Sequence, residues 1–256
     1  MIAFLNRLSR QNVYRFLILS SAAMFLAVNW LPAPVKIASL CGDSSIMLGV
    51  RSGISNLQLF PLSNFAAGWF FMMVPMMLVL LASPLQHVWQ SAVKAWRPRA
   101  AVVFLGAYLG AWMGAGAVVI PLSVLTRSVF GEEAALAAML AFAFLWSASP
   151  ISQRARNRCH KIRRISACGA AMARDCVSYG LRHAAACIAS CWPWMLVPMA
   201  AEDLHLAAMT AVTVYLFFDR MAPARSPRWR LPPGLTLPAE LVRMDLMRLS
   251  RQPSPA

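Results

Sequence analysis

Apolar residues gather in six runs along the chain, near 14–33, 64–83, 100–122, 133–149, 177–200 and 203–222, each nearly free of charge. Runs of about twenty apolar residues match the length a helix needs to cross a bilayer. The pattern predicts an all-α, polytopic membrane helix bundle of about six transmembrane helices, with N- and C-termini cytoplasmic. The fourth run is the shortest, which a tightly packed bundle accommodates. The first run is long for a signal peptide, and Trp30-Leu31-Pro32 stands where a small-residue cleavage site belongs, so it reads as a helix. The organisation expected is a basic cytoplasmic lead over 1–13, a membrane bundle over 14–223, and a basic, Pro-rich, largely disordered cytoplasmic tail over 224–256. Within the tail, 238–248 has the pattern of an amphipathic surface helix.

Composition supports the membrane reading. Hydrophobic residues make up 59% of the chain and mean hydropathy is +0.58, too apolar for an ordinary soluble domain of 256 residues. The net charge of +15 raises the question of nucleic acid, and its distribution answers it. With the N-terminus cytoplasmic, twenty Lys and Arg fall in inside segments, and only Lys36, Arg51 and Arg127 fall outside. Arg182 sits just within the fifth run, where it snorkels to the inner surface. This positive-inside bias reports topology and contact with anionic lipid, not nucleic acid. The expected location is the bacterial inner (cytoplasmic) membrane, multi-pass. Of the six cysteines only Cys41 falls outside, so no disulfide framework is expected.

The chemistry lies inside the apolar runs. His183, Cys187, Cys191, Met195 and Met199 recur every four residues in the fifth run. Side chains four apart are neighbours on a helix. Each four-residue step turns back by about 40°, so Cys187, Cys191 and Met195 share a face while Met199 drifts round it. The second run carries Met72, Met73, Met76 and Met77 around Pro75, at the bilayer depth of the cysteine pair. Thiolate and thioether are soft donors that suit Cu(I). Methionine is equally a flexible core filler and buried cysteine a small hydrophobe. The coincidence of two clusters at one depth favours metal.

Prolines interrupt both helices. Pro75 frees the carbonyl of Phe71, Pro193 that of Ala189, and Pro198 that of Trp194. Freed carbonyls inside a membrane need another partner or a cavity. At the outer surface His205 and Met209 open the sixth run behind Glu202 and Asp203. The pattern reads as a mouth where a cation is attracted and handed to Met209, Met199 and Met195. Cys159-His160 lies in the Arg-rich 150–176 segment, read as a cytoplasmic loop with an incidental thiol or an inner docking point.

Several of these residues together resemble a bacterial family of predicted metal-binding integral membrane proteins, long treated as a domain of unknown function. The resemblance spans roughly 65–223. It is carried by Trp69 ahead of the Met block, Gly106-x-Tyr108 with Trp112, and Ser149-Pro150 leading to Cys159. It continues through Gly180-Leu181-Arg182-His183, Cys187-x-x-Ser190-Cys191-Trp192-x-x-Met195, and Met209 to Asp219-Arg220-x-x-Pro223. The family usually has a Cys pair where this chain has Ser190-Cys191, and a methionine near Leu204. Some members are linked with copper supply to polyphenol oxidases, so the resemblance implies copper delivery.

The function expected is therefore a non-enzymatic, membrane-embedded copper chaperone. Its expected metal-binding residues are Met72, Met73, Met76, Met77, His183, Cys187, Cys191, Met195, Met199, His205 and Met209, handing Cu(I) to a client cuproenzyme. The chain has no Gly-rich phosphate loop, so active pumping is not expected. A membrane metal transporter is the nearest alternative. A thiol–disulfide oxidoreductase using Cys187 and Cys191, and a scaffold without metal, stand behind it. His183 and His205 lie near opposite faces, too far apart to bracket one haem.

Overall fold

A computed structural model of the chain describes residues 19–23, 62–201 and 204–236. Among the described residues every regular element is helical. The helices are α1 (Leu62–Leu80), α2 (Ala82–Ser91), α3 (Arg97–Phe130), α4 (Glu132–Ala148), α5 (Pro150–Cys159), α6 (Gly169–Ala200) and α7 (His205–Met221), with a 3₁₀ turn at Lys94–Trp96. The lead, most of the first expected span, the loop holding Cys41, the acids Glu202 and Asp203, and 237–256 lie outside the described residues.

Five of the apolar runs fall on α1, α3, α4, α6 and α7, but among the described residues only one helical stretch, or up to three if each bent pair is one span, has the length and apolarity to cross a membrane. The segment Lys94–Phe130 is one helical stretch of 37 residues, long and apolar enough to cross a membrane. Two further stretches reach that length only as bent pairs, α1 with α2 at 69° and α4 with α5 at 68°. Both bends have a local cause. Pro84 lacks the N–H that would bond to Leu80, so the ladder breaks at Leu81. Pro150 occupies the first turn of α5, and Ser149 caps it by accepting the Ser152 N–H at 3.2 Å. Helix α3 runs past its expected end to Gly131, whose φ of 76° closes it.

Helix α6 is the axis of the bundle and packs against α3, α4, α5 and α7. Helix α1 closes the other side against α3 and α7. Two glycines permit the tightest crossings. A Cβ on Gly180 of α6 would lie 2.8 Å from the Phe104 carbonyl of α3. A Cβ on Gly116 would lie 2.7 Å from Trp69 Nε1, whose N–H donates to the Trp112 carbonyl at 2.9 Å. Small residues at crossings are how membrane-type helices gain close packing.

The core holds many sulfur and polar groups, while α3 and α4 expose large aliphatic side chains. Met72, Met73, Met76 and Met77 are completely buried. By contrast Val102, Val118, Leu125, Val129 and Leu145 are each at least 60% exposed.

The 150–176 segment is not simply a loop, as the sequence pattern implied. Its first ten residues form α5, which buries Ser152, Ala155, Arg156 and Cys159 against the bundle. Arg156 Nη1 lies 3.2 Å from both carboxylate oxygens of Asp219 on α7, and both side chains are buried. Of the tail expected to be disordered, residues 224–236 are anchored. Asn157 donates to the Arg225 carbonyl at 2.7 Å, the Arg230 N–H bonds to Ala148 O, and Gly234 packs on Tyr215.

Candidate metal site

The four-residue spacing on α6 gives the geometry it predicts. His183, Cys187, Cys191, Met195 and Met199 are all buried. The Sγ atoms of Cys187 and Cys191 are 3.8 Å apart, and both thiols are free. A metal–thiolate bond is about 2.3 Å for zinc, so two sulfurs sharing one ion lie within about 4.6 Å of each other. The pair therefore admits a bridging ion without any change in helix geometry.

Two residues from other helices complete the surroundings. Tyr108 on α3 points its hydroxyl at Cys187 Sγ, 3.2 Å away, and at Met77 Sδ, 3.6 Å away. One hydroxyl has one proton to donate, so the two sulfurs share it. This places a thioether of α1 and a thiol of α6 around a single oxygen, and joins the two sulfur clusters at Met77. Arg220 on α7 donates from Nη2 to Cys187 Sγ at 3.1 Å and to Ser190 Oγ at 3.4 Å. Its neighbour Asp219 pairs with Arg156 instead, so the Arg220 guanidinium is directed to sulfur. The charge count placed Arg220 and Arg156 in inside segments; within the bundle Arg156 is buried and Arg220 partly so.

Tyr108 and Arg220 are the residues that site reasoning from the sequence missed. The available signals were a tyrosine within an apolar helix and an Asp-Arg pair at the end of another. Ionisable groups inside apolar spans mark function by default.

The carbonyl freed by Pro193 finds a specific partner. Trp146 Nε1 on α4 donates to Ala189 O at 2.9 Å. Ser21 donates to the carbonyl of Pro75 itself at 2.7 Å. These contacts hold the interrupted helices in place beside the sulfur residues.

His205 lies at the far end of α6. Its Nδ1 is 2.6 Å from the Pro198 carbonyl, which only accepts, so Nδ1 carries the proton. The buried Nε2 has no hydrogen-bond partner. A histidine that donates one N–H to a carbonyl presents its other nitrogen as a ready metal ligand. Met209, one turn further along α7, and Met199, the residue after Pro198, are buried as well. His183 instead sits among aromatic rings, with centroids 5.9 Å from Tyr108 and Tyr179.

Among the described residues no three His, Cys, Asp or Glu side chains converge on one point. The arrangement is thus poor for a hard or borderline ion held by carboxylates and imidazoles. A thiol pair with thioether neighbours suits a soft monovalent ion of low coordination number.

The fold is all-helical among the described residues, and the donor set in its core is of the kind that suits a soft metal ion. The PpoB2 copper chaperone family matches residues 66–242, and the chain belongs to that family. No curated protein and no solved structure matches it.

Proposed function

We propose that the protein is a multi-pass inner-membrane chaperone that takes up Cu(I) at Cys187, Cys191 and Met77 and releases it to a client cuproenzyme. The observation that carries this reading is the 3.8 Å thiol pair facing Met77 across the Tyr108 hydroxyl, with Arg220 against Cys187. Charge balance supports it. Two thiolates and one Cu(I) sum to a single negative charge, and the Arg220 guanidinium makes the buried unit neutral. A copper-thiolate anion in a low-dielectric core requires such a counter-charge.

The membrane location rests on the apolar runs, the exposed aliphatic belt of α3 and α4, and the sulfur-rich, hydrogen-bonded interior. The six-span topology, with both termini cytoplasmic, rests on the distribution of basic residues. In that topology His205, Met209 and Met199 form the outer end of a path whose middle is Met195 and the thiol pair. Met72, Met73 and Met76 are the thioether reserve on the α1 side. Thiols must lose protons to bind the metal, so uptake releases protons and weakens as pH falls.

Anaerobic loading of the detergent-purified chain with Cu(I) tests the reading. Close to one copper per chain is expected in the wild type, and almost none in the Cys187→Ser/Cys191→Ser double variant with its thermal unfolding unchanged. A well-folded wild type that retains no copper overturns it.

A further inference from the structure

Two cavities adjoin at the α5–α6 end of the bundle. The larger, about 580 Å³, is bordered by four cations, Arg158, Lys161, Arg163 and Arg182. The smaller, about 350 Å³, is lined by the thiol of Cys159, the imidazoles of His87, His160 and His183, and Arg220. Ile162, Tyr179 and His183 line both, so the two cavities are neighbours and make up a two-part recess. Arg220 in turn touches Cys187 Sγ at 3.1 Å. The recess therefore sets a cationic groove beside a cavity that holds a cysteine, three histidines and the guanidinium in contact with the Cys187 thiol.

Among the described residues no carboxylate lines either cavity. The neighbouring acids are engaged elsewhere, Asp175 with Ser166 and Asp219 with Arg156. Four exposed cations border one groove that no carboxylate among the described residues lines, so the groove attracts an anion, although Asp175 lies near enough to Arg163 to offset part of that charge. The groove floor is Ala185, Ala186 and Ala189, small side chains that leave room for a ligand with several atoms of breadth. Combined volumes of this order hold a molecule the size of a drug or a tripeptide.

We propose that this recess is the port through which copper is exchanged with a small anionic thiol, whose carboxylates sit on the cationic groove while its copper-bearing sulfur enters the Cys159–His183 cavity. The inference rests on the copper-binding reading and adds the chemical class of the carrier. The exchange is ligand substitution. A sulfur–copper bond to the carrier breaks as one to Cys187 forms, and the metal stays Cu(I), so no electrons move. The departing carrier sulfur takes the proton given up by the cysteine that replaces it. Cys159 and His183 offer soft and imidazole donors on the way, so the ion need never be free.

The experiment compares two carriers with the same donor atom and opposite charge, Cu(I)–glutathione and Cu(I)–cysteamine, mixed rapidly with the detergent-purified full chain. The variant is Arg158→Gln/Lys161→Gln/Arg163→Gln/Arg182→Gln, all at exposed positions. Electrostatic steering into a charged cleft changes association rates by about 10- to 1,000-fold and is screened by salt. Transfer from the glutathione complex is expected to slow at least tenfold in the variant and to lose its salt dependence. Transfer from the cysteamine complex is expected to hold or quicken, and copper at equilibrium to stay at the wild-type level. Arg182→Glu alone, on the exposed side of α6, is expected to move the two rates in the same directions. Glutathione rates within twofold of wild type, or equal slowing with both carriers, overturn the port. So does anionic phospholipid that slows wild-type transfer but leaves the variant unaffected, because the groove would then be a lipid phosphate site. A wild type that takes no copper from either carrier overturns the chaperone reading itself.

Discussion

Replacing Arg220 with Gln tests whether the site is built for a copper-dithiolate anion. Gln keeps a hydrogen-bond donor on a side chain two atoms shorter and removes the charge. Nη2 of Arg220 is 3.1 Å from Cys187 Sγ, which puts the cation about 4 Å from the centre of the anion it would face. At an effective dielectric of about 20, that separation corresponds to about 4 kcal/mol of attraction. A charged hydrogen bond measured by mutation contributes about 1.5–3 kcal/mol. The expected loss of Cu(I) binding free energy lies between these figures, about 2–4 kcal/mol, or about 30- to 700-fold in Kd. The apo protein tells a different story. Its Arg220 hydrogen bonds go to sulfur and to Ser190, not to a carboxylate. Removing the cation should leave the unfolding temperature of the apo form unchanged or slightly raised. The assay is anaerobic competition for Cu(I) against a chromophoric chelator, alongside thermal unfolding of the apo form. Affinity within threefold of wild type refutes the counter-charge argument. So does an affinity loss matched by a fall in apo stability, because Arg220 would then be structural.

Two further substitutions probe the scaffold. Asp219→Asn strips the buried Arg156 of its carboxylate, and loss of one partner of a buried pair costs about 3–5 kcal/mol; thermal unfolding should show a marked drop, recovered by the paired replacement Arg156→Met/Asp219→Leu, and an unchanged single variant would refute the pairing. Gly180→Ala gains about 1 kcal/mol of helix propensity but forces a Cβ to 2.8 Å from Phe104 O, and overpacking of that kind costs about 1–3 kcal/mol. Gly106→Ala meets nothing within 4 Å, so the two alanines should shift the unfolding temperature in opposite directions.

The sequence made the helices and the α6 sulfur ladder legible because both depend on local periodicity. An apolar run announces a helix wherever it packs, and residues four apart on one helix meet whatever surrounds them. The Pro193 break was equally legible, and the freed Ala189 carbonyl is indeed taken by a foreign donor. The identity of that donor, Trp146, was not, because it lies 43 residues away on α4. The same limit hid the contact network at the thiols. Tyr108 and Cys187 are 79 residues apart, and Arg220 is 33 residues beyond Cys187. No spacing rule relates them.

For a related reason, charge counting did not reveal the burial of Arg156 and Arg220. A cation near the end of an apolar run reads as a topological marker whenever its partner cannot be seen. Here Asp219 and Arg220 are adjacent on α7 and point to different neighbours, one to α5 and one to α6. That divergence gives the site its electrostatic character. Had Arg220 paired with Asp219, the thiols would face a neutral wall, and a bound copper-dithiolate would carry an uncompensated negative charge. Because Arg156 occupies Asp219, the second guanidinium is left for sulfur. The buried ion pair thus does more than join α5 to α7. By engaging the nearest carboxylate, it leaves the Arg220 charge directed at the thiols.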